Sequence, residues 1–302
     1  MNHNPFIHHC LELANKGRGQ VGSNPLVGAV LVRGEEITAE GFYAGGDHAE
    51  RELFKKFDQE IQQEDVLYVN LEPCCHTGQT PPCTDLIIEK GIKTVVYGMQ
   101  DPDERVAGQG IYQLIDRGVT VIGPIERAAC ERLNRGYISL RTNSKPFITI
   151  KKAQTLDGRV ANDDGSKLCI TTDAQNEWSH THLRSTHDAI LVGVQTVITD
   201  NPLLTNRITN HQPYKIILDP ELRIPRDATL IDDRTIIITQ KESEEIGEAK
   251  VITVPMIDDH FDWDALWNAL PNVSSILVEG GSKTWETFTK AHLIDEEVIL
   301  VN

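Results

Sequence analysis

Apolar residues recur at helical spacing over residues 6–16, and two alternating apolar stretches, 26–32 and 37–43, follow with a turn at Gly34 between them. A helix and a strand pair are predicted. Residues 48–57 again read as a helix, 66–71 as a strand that runs into Glu72-Pro73-Cys74, and 82–90 as a helix opening at Cys83. Strands at 94–98 and 119–123 flank a helix at 110–117. After a short polar stretch at 142–145 the pattern restarts, with strands at 147–150, 188–193, 215–219, 235–239, 275–278 and 297–301 and helices at 176–184 and 282–290. This alternation implies α/β layers in both halves, so two domains are expected, 1–143 and 144–302.

Composition narrows the class. At 302 residues, 39% hydrophobic and 25% charged, the chain has the make-up of a soluble globular protein. Its formal net charge of −16 argues against a nucleic-acid partner, because neutralising phosphates takes a basic face. An anionic small substrate would instead need local Lys and Arg. The first 17 residues lack the basic start and apolar core of a leader, and no segment has the length of a membrane span, so a cytoplasmic protein without a membrane partner is expected. Six irregularly placed cysteines (10, 74, 75, 83, 130, 169) do not form a disulfide framework.

Those cysteines point to a metal. His48, Cys74 and Cys83 offer one imidazole and two thiolates, three ligands that leave a tetrahedral zinc one position for water. Glu50, two residues after His48, is suited to move a proton from that water to a leaving amine, as in zinc nucleobase deaminases. Eight residues separate Cys74 from Cys83, more than the usual two, so the loop must bulge, with Gly78 and Pro81-Pro82 turning it. Cys75 is an alternative ligand, although the Pro-Cys pairing favours Cys74. His48 and Cys83 stand at predicted helix starts, and the partial positive charge of that end favours thiolate over thiol at Cys83.

These residues resemble the bifunctional deaminase-reductase family of riboflavin biosynthesis. The likeness is carried by Ser23-Asn24-Pro25-Leu26-Val27-Gly28, His48-Ala49-Glu50, the loop from Glu72 to Cys83, and Met99-Gln100-Asp101-Pro102 leading to Val106-Ala107-Gly108. It implies a cytidine-deaminase-like α/β/α fold for the first half, zinc on His48, Cys74 and Cys83, Glu50 as proton shuttle, and substrate contacts from Asn24, His76 and Asp101. Asp103 departs from the family's Asn after Asp-Pro.

In the second half no G-x-G-x-x-G follows a strand, but Val278-Glu279-Gly280-Gly281-Ser282 stands at a strand-to-helix junction where amides can face a phosphate. The same family resemblance extends here through Lys151-Lys152-Ala153, Leu156-Asp157-Gly158, Leu183-Arg184, the stretch from Ala189 to Val197, Asp200-Asn201-Pro202, Leu204-Thr205, Arg207 and Glu279-Gly280-Gly281. It implies a dihydrofolate-reductase-like α/β domain that takes NADPH through Ala153 or Gln154, Thr196, Asp200 and the turn Gly281, Ser282, Lys283, Thr284, Trp285, Glu286 and Thr287. Substrate contacts are implied for Lys151, Arg184, Leu204, Arg207 and Glu279, with Lys151 assisting ring opening or charge balance. The two arginines are also the residues that best grip a phosphate.

The segment from Ser166 to Thr172 lacks the family's tryptophan. The chain ends at Asn302 within a predicted strand, so a shortened reductase sheet with an open edge is expected, and with it a second half less stable than the first. The implied reactions are hydrolytic deamination of 2,5-diamino-6-ribosylamino-4(3H)-pyrimidinone 5′-phosphate and NADPH-dependent reduction of its ribosyl group to ribityl, in a homo-oligomer, dimer or tetramer. Two other classes fit less of the pattern: a deaminase alone with an inactive second domain, and a non-catalytic assembly protein.

Overall fold

A computed structural model describes residues 2–77, 80–104, 106–159, 170–209, 211–270 and 272–302 and divides the chain into two units, Met1–Ser144 and Lys145–Asn302. Gly78 and residues 166–169 of the segment noted above lie outside the described residues.

The first unit runs α1 (Asn4–Asn15), β1 (Gly28–Arg33), β2 (Glu36–Phe42), α2 (Ala49–Lys56), β3 (Asp65–Leu71), α3 (Cys83–Lys90), β4 (Thr94–Met99), α4 (Gln109–Asp116), β5 (Thr120–Ile122), α5 (Arg127–Leu133) and α6 (Arg135–Asn143). Its sheet has the order β2-β1-β3-β4-β5; β1 is antiparallel to both neighbours, and β3, β4 and β5 are parallel. Successive side chains of β3 point to opposite faces, and both faces are covered. Leu67 and Val69 pack with Leu53, Ile87 and Leu114 from the helices on one side. Tyr68 packs with Ile7, Cys10 and Leu13 of α1 on the other.

Two buried amides then fix the chain that leads into β1. Asn70 on β3 accepts from the Gly28 N–H at 2.8 Å and donates to the Leu26 carbonyl at 3.0 Å. Asn134 accepts from the Leu26 N–H at 2.8 Å and donates to the same carbonyl at 3.1 Å. Both backbone groups of Leu26 are thereby satisfied inside the protein, which sets the position of Asn24 and Val27.

The second unit runs β6 (Phe147–Gln154), α7 (Asp173–Ser179), a wide π-type turn (His180–Arg184), β7 (Ala189–Gly193), α8 (Val194–Asp200), β8 (Tyr214–Leu218), β9 (Thr235–Thr239), β10 (Lys250–Thr253), the short pair β11 (Met256–Ile257) and β12 (His260–Phe261), α9 (Trp263–Ala269), β13 (Ser275–Val278), α10 (Ser282–Lys290) and β14 (Glu296–Val301). Seven strands, all parallel, take the order β10-β9-β8-β7-β13-β6-β14. Near-continuous apolar strands such as Thr235–Thr239, buried throughout, are what a parallel sheet covered on both faces demands.

Elements differ from the pattern reading where long-range pairing or capping intervenes. The strand expected at 147–150 continues to Gln154, because β14 pairs with it from Thr149 to Gln154. The helix expected at 176–184 starts earlier, where Thr172 and Gln175 form a reciprocal capping box, and gives way to the wide turn after Ser179. Helices α5, α6, α8 and α9 carry no isolated periodicity strong enough to announce them.

Replacing Asn134 by Ala strands the buried N–H of Leu26, while the Leu26 carbonyl keeps Asn70 as its one remaining donor. A loss of about 1–3 kcal/mol in the unfolding free energy of the first unit is expected, measured by urea denaturation.

Candidate active sites

His48 stands immediately before α2 with extended backbone, Cys74 follows β3, and Cys83 is the first residue of α3. The Cys74 and Cys83 sulfurs each lie 3.4 Å from His48 Nδ1, and the three donor atoms fall within 4.8 Å of one another. Metal–sulfur bonds of about 2.3 Å and metal–nitrogen bonds of about 2.0–2.1 Å at tetrahedral angles separate S from N by about 3.5 Å. The donor set and its spacing therefore fit zinc. Cys75 is not part of the cluster, and burial pushes its thiol up.

The Cys83 N–H also points at the Cys74 sulfur at 3.4 Å, and the Thr84 N–H bonds the Cys74 carbonyl at 3.1 Å, which locks the start of α3 onto the end of the loop. The hydrogen bond from Cys83 brings the Cys74 thiol down to about 4 against the effect of burial, with His48 assisting, while Cys83 itself is pushed up by holding the shared proton and by burial. Glu50, the second residue of α2, is 3% exposed; burial raises its carboxyl pKa, and the neighbouring Cys74 adds to the rise. A carboxyl so raised is suited to exchange protons nearer neutrality.

His48, Glu50 and Cys74 line a cavity of about 250 Å³ together with Asn24, His76 and Asp101, the three further contacts implied from sequence. Asn24 donates to the Tyr43 hydroxyl at 3.1 Å. Two buried polar atoms on this lining, His76 Nδ1 and Thr80 Oγ1, have no hydrogen-bond partner. Such atoms are rare in interiors and await a ligand or water. Asp101 accepts from Tyr137 Oη and from the Asp103 N–H, each at 2.9 Å, and burial raises its pKa.

Beneath them Glu72 is 3% exposed and accepts four backbone N–H groups: Asp101 (3.2 Å), Gly108 (2.9 Å), Gly110 (3.0 Å) and Ile111 (3.2 Å). Sequence reasoning took Glu72 only as the lead into the cysteine loop. It also missed Tyr43, Tyr137 and Arg141, which reach the cavity from distant segments with no local signature.

In the second unit Glu279, directly after β13, has a side chain 7% exposed and takes a bidentate pair from Arg184, Nε at 2.9 Å and Nη2 at 2.6 Å. Arg184 Nη1 donates to the Thr205 carbonyl at 3.1 Å, and Lys151 Nζ lies 3.9 Å from Glu279. Burial opposes ionisation of Glu279, yet Arg184 and Lys151 outweigh it and hold the carboxyl at about 2. Arg184 is therefore engaged by a carboxylate, whereas Arg207 is exposed on the rim of an open pocket that Arg184, Leu204 and His180 also line. His180 Nδ1 is buried without a partner, and burial with the charges of Arg184 and Arg207 keeps the ring's pKa low.

The remaining residues implied for the cofactor sit at strand and helix ends. Ala153 and Gln154 close β6, Thr196 and Asp200 lie on α8, and residues 282–287 form the first turns of α10. A Cβ on Gly280 would meet the Thr284 side chain at 2.8 Å, so this glycine serves close packing of α10. One on Gly281 would meet nothing within 4 Å, which leaves the opening of α10 accessible to a ligand.

The Glu279 pKa yields a pH expectation. A carboxyl lowered from its ordinary 4.5 to about 2 stabilises the fold fully above 4.5, and that contribution is lost as pH falls toward 2. The stability of the second unit is expected to fall more steeply between pH ~5 and ~2 in the native chain than in Glu279→Gln, whose neutral-pH stability is lower because Arg184 loses its partner; acid unfolding followed by circular dichroism measures it.

Comparison with known proteins agrees with this geometry. Residues 1–99 match the cytidine and deoxycytidylate deaminase zinc-binding region, and residues 146–302 match the RibD C-terminal domain. The riboflavin biosynthesis protein RibD of Aquifex aeolicus is 39% identical over 98% of this chain and 85% of its own length, and that of Escherichia coli 32% identical over 98% and 86%. Among solved structures, the Thermotoga maritima diaminohydroxyphosphoribosylaminopyrimidine deaminase/5-amino-6-(5-phosphoribosylamino)uracil reductase superposes with a TM-score of 0.82 at 36% identity, covering 96% of this chain and 84% of that one. Acinetobacter baumannii RibD gives 0.84 at 28% identity, covering 99% and 86%. With both halves matched in order and nearly the whole length aligned, the chain belongs to the RibD family of riboflavin biosynthesis proteins.

Proposed function

We propose that the first unit hydrolytically deaminates 2,5-diamino-6-ribosylamino-4(3H)-pyrimidinone 5′-phosphate and that the second reduces the product's ribosyl group to ribityl with NADPH. The observation that carries the reading is the clustering of His48, Cys74 and Cys83, two of which line one cavity with buried Glu50. A second unit that matches the RibD C-terminal domain over residues 146–302 argues against a deaminase acting alone.

In the deamination His48, Cys74 and Cys83 hold zinc, which when bound makes water acidic enough to act as a nucleophile near neutral pH. Glu50 takes the proton of the attacking water and delivers it to the exocyclic amine, which leaves as ammonia. Asn24, His76 and Asp101 orient the ring and ribose; the unpartnered His76 Nδ1 gains a partner when substrate binds.

For the reduction the dinucleotide supplies hydride to C1′, and the protein supplies binding and orientation. Ala153 or Gln154, Thr196, Asp200 and the segment Gly281, Ser282, Lys283, Thr284, Trp285, Glu286 and Thr287 contact it. Lys151 gives a proton to the ribose ring oxygen as the ring opens, and Glu279 keeps that lysine charged. Arg207 takes the phosphate and Leu204 packs on the sugar, while Arg184 anchors Glu279. We further propose a cytoplasmic homo-oligomer; the net charge of −16 supports a small-molecule substrate over a nucleic acid.

Incubation with the diaminopyrimidine ribotide, following ammonia and NADPH absorbance together, tests the reading. Glu50→Gln is expected to slow ammonia release by about 10²–10⁴-fold with zinc content retained and with reduction of separately supplied deaminated intermediate unchanged. Removal of zinc by a chelator should produce the same split. Lys151→Ala with undiminished reduction would reject the role given to that residue.

A further inference from the structure

We infer that Arg141 receives the substrate's 5′-phosphate at the deaminase cavity and that its pairing with Asp103 tunes how strongly this unit prefers a phosphorylated riboside. The inference rests on the deaminase reading above and adds to it a recognition residue from α6.

The cavity is acidic. Glu50, Glu72, Asp101 and Asp103 all contribute to its lining, and among the described lining residues Arg141 is the one Lys or Arg. A substrate bearing a phosphate meets repulsion there unless a cation faces it. Glu72 is occupied by backbone N–H groups and Asp101 by Tyr137 and the Asp103 amide, so neither draws on a basic side chain in the bonds just described.

Arg141 is held loosely enough to serve. Its Nε is 3.6 Å from Asp103 Oδ2, beyond hydrogen-bonding range, and its guanidinium lies over the Tyr137 ring at 5.2 Å. The contrast with Arg184, whose fork is spent on Glu279 at 2.9 and 2.6 Å, is direct. The cation–π contact and hydrogen bonding with Tyr137, together with the charge of Asp103, hold the Arg141 guanidinium at the cavity, and a fork of five N–H donors leaves others for a second anion.

Size and exposure agree. A cavity of about 250 Å³ lies below the ~300 Å³ at which pockets for whole small molecules begin. A ribotide fills it with base and sugar and leaves its phosphate at the mouth. Glu50, Glu72 and Asp101 are buried, whereas the Arg141 side chain is 36% exposed, the one cation of the described lining that meets solvent.

The test compares the diaminopyrimidine ribotide with its dephosphorylated riboside as deaminase substrates, in the full-length zinc enzyme. Arg141→Met is expected to raise KM for the ribotide about 10- to 100-fold and to leave the riboside's KM unchanged; Arg141→Lys should recover part of the loss. Asp103→Asn, which removes a negative charge beside the same group, should lower the ribotide's KM about 2- to 5-fold. Equal effects of Arg141→Met on both compounds, or none on the ribotide, would overturn the assignment, as would an unchanged or raised ribotide KM in Asp103→Asn for the tuning role. Zinc content and melting temperature of Arg141→Lys separate a binding defect from a folding one. If the unmodified enzyme releases ammonia from neither compound, the deaminase reading itself fails and takes this inference with it.

Discussion

Each unit places a buried glutamate directly after one of its interior strands, and the need to compensate that charge organises what surrounds it. Glu72 follows β3 and Glu279 follows β13. An ionised carboxylate deprived of water is costly unless hydrogen bonds or opposite charges replace the lost hydration. The two units meet this demand differently. Glu72 is met by four backbone amides, which fold the segment from Asp101 to Ile111 around it and set the start of α4. Glu279 is met by side chains, Arg184 in a bidentate pair and Lys151 nearby, which join the wide turn, β6 and the end of β13.

The chemistry is arranged relative to these anchors. Cys74 lies two residues beyond Glu72, and the other donors come from the residue before α2 and the first residue of α3. With β3 ended at a fixed point, the loop from Glu72 needs only to return to the start of α3 for its two sulfurs to flank His48 Nδ1. Glu50 is then carried to the same cavity by α2, one residue beyond its first position, and is buried because Leu53 and Phe54 of that helix are core residues. Burial gives it a raised pKa, so packing of the hydrophobic core and readiness for proton transfer have one cause.

In the second unit the glycines after β13 are not equivalent. Gly280 admits Thr284 close to the backbone, so it is a packing requirement, while Gly281 leaves open space at the N-terminal end of α10. A Gly-Gly pair read from sequence cannot separate these uses, because they depend on what lies across the gap.

From sequence alone the α/β alternation, the division near residue 144 and the group of His48, Glu50, Cys74 and Cys83 were legible, since periodicity and donor chemistry are local properties. Asn24, His76 and Asp101 came from family resemblance, and the structure brings all three to the cavity. What local pattern does not encode is which distant side chains meet. The extension of β6 needed β14 beside it, Leu26 needed Asn70 and Asn134, and Tyr137 with Arg141 reached the cavity only because α6 lies along it. Arg184, chosen from sequence as a phosphate ligand, is committed to Glu279, whose carboxylate lies 95 residues away. The identities of the reacting groups are thus properties of the chain, whereas the partners that set their charge, orientation and exposure exist only once remote segments pack.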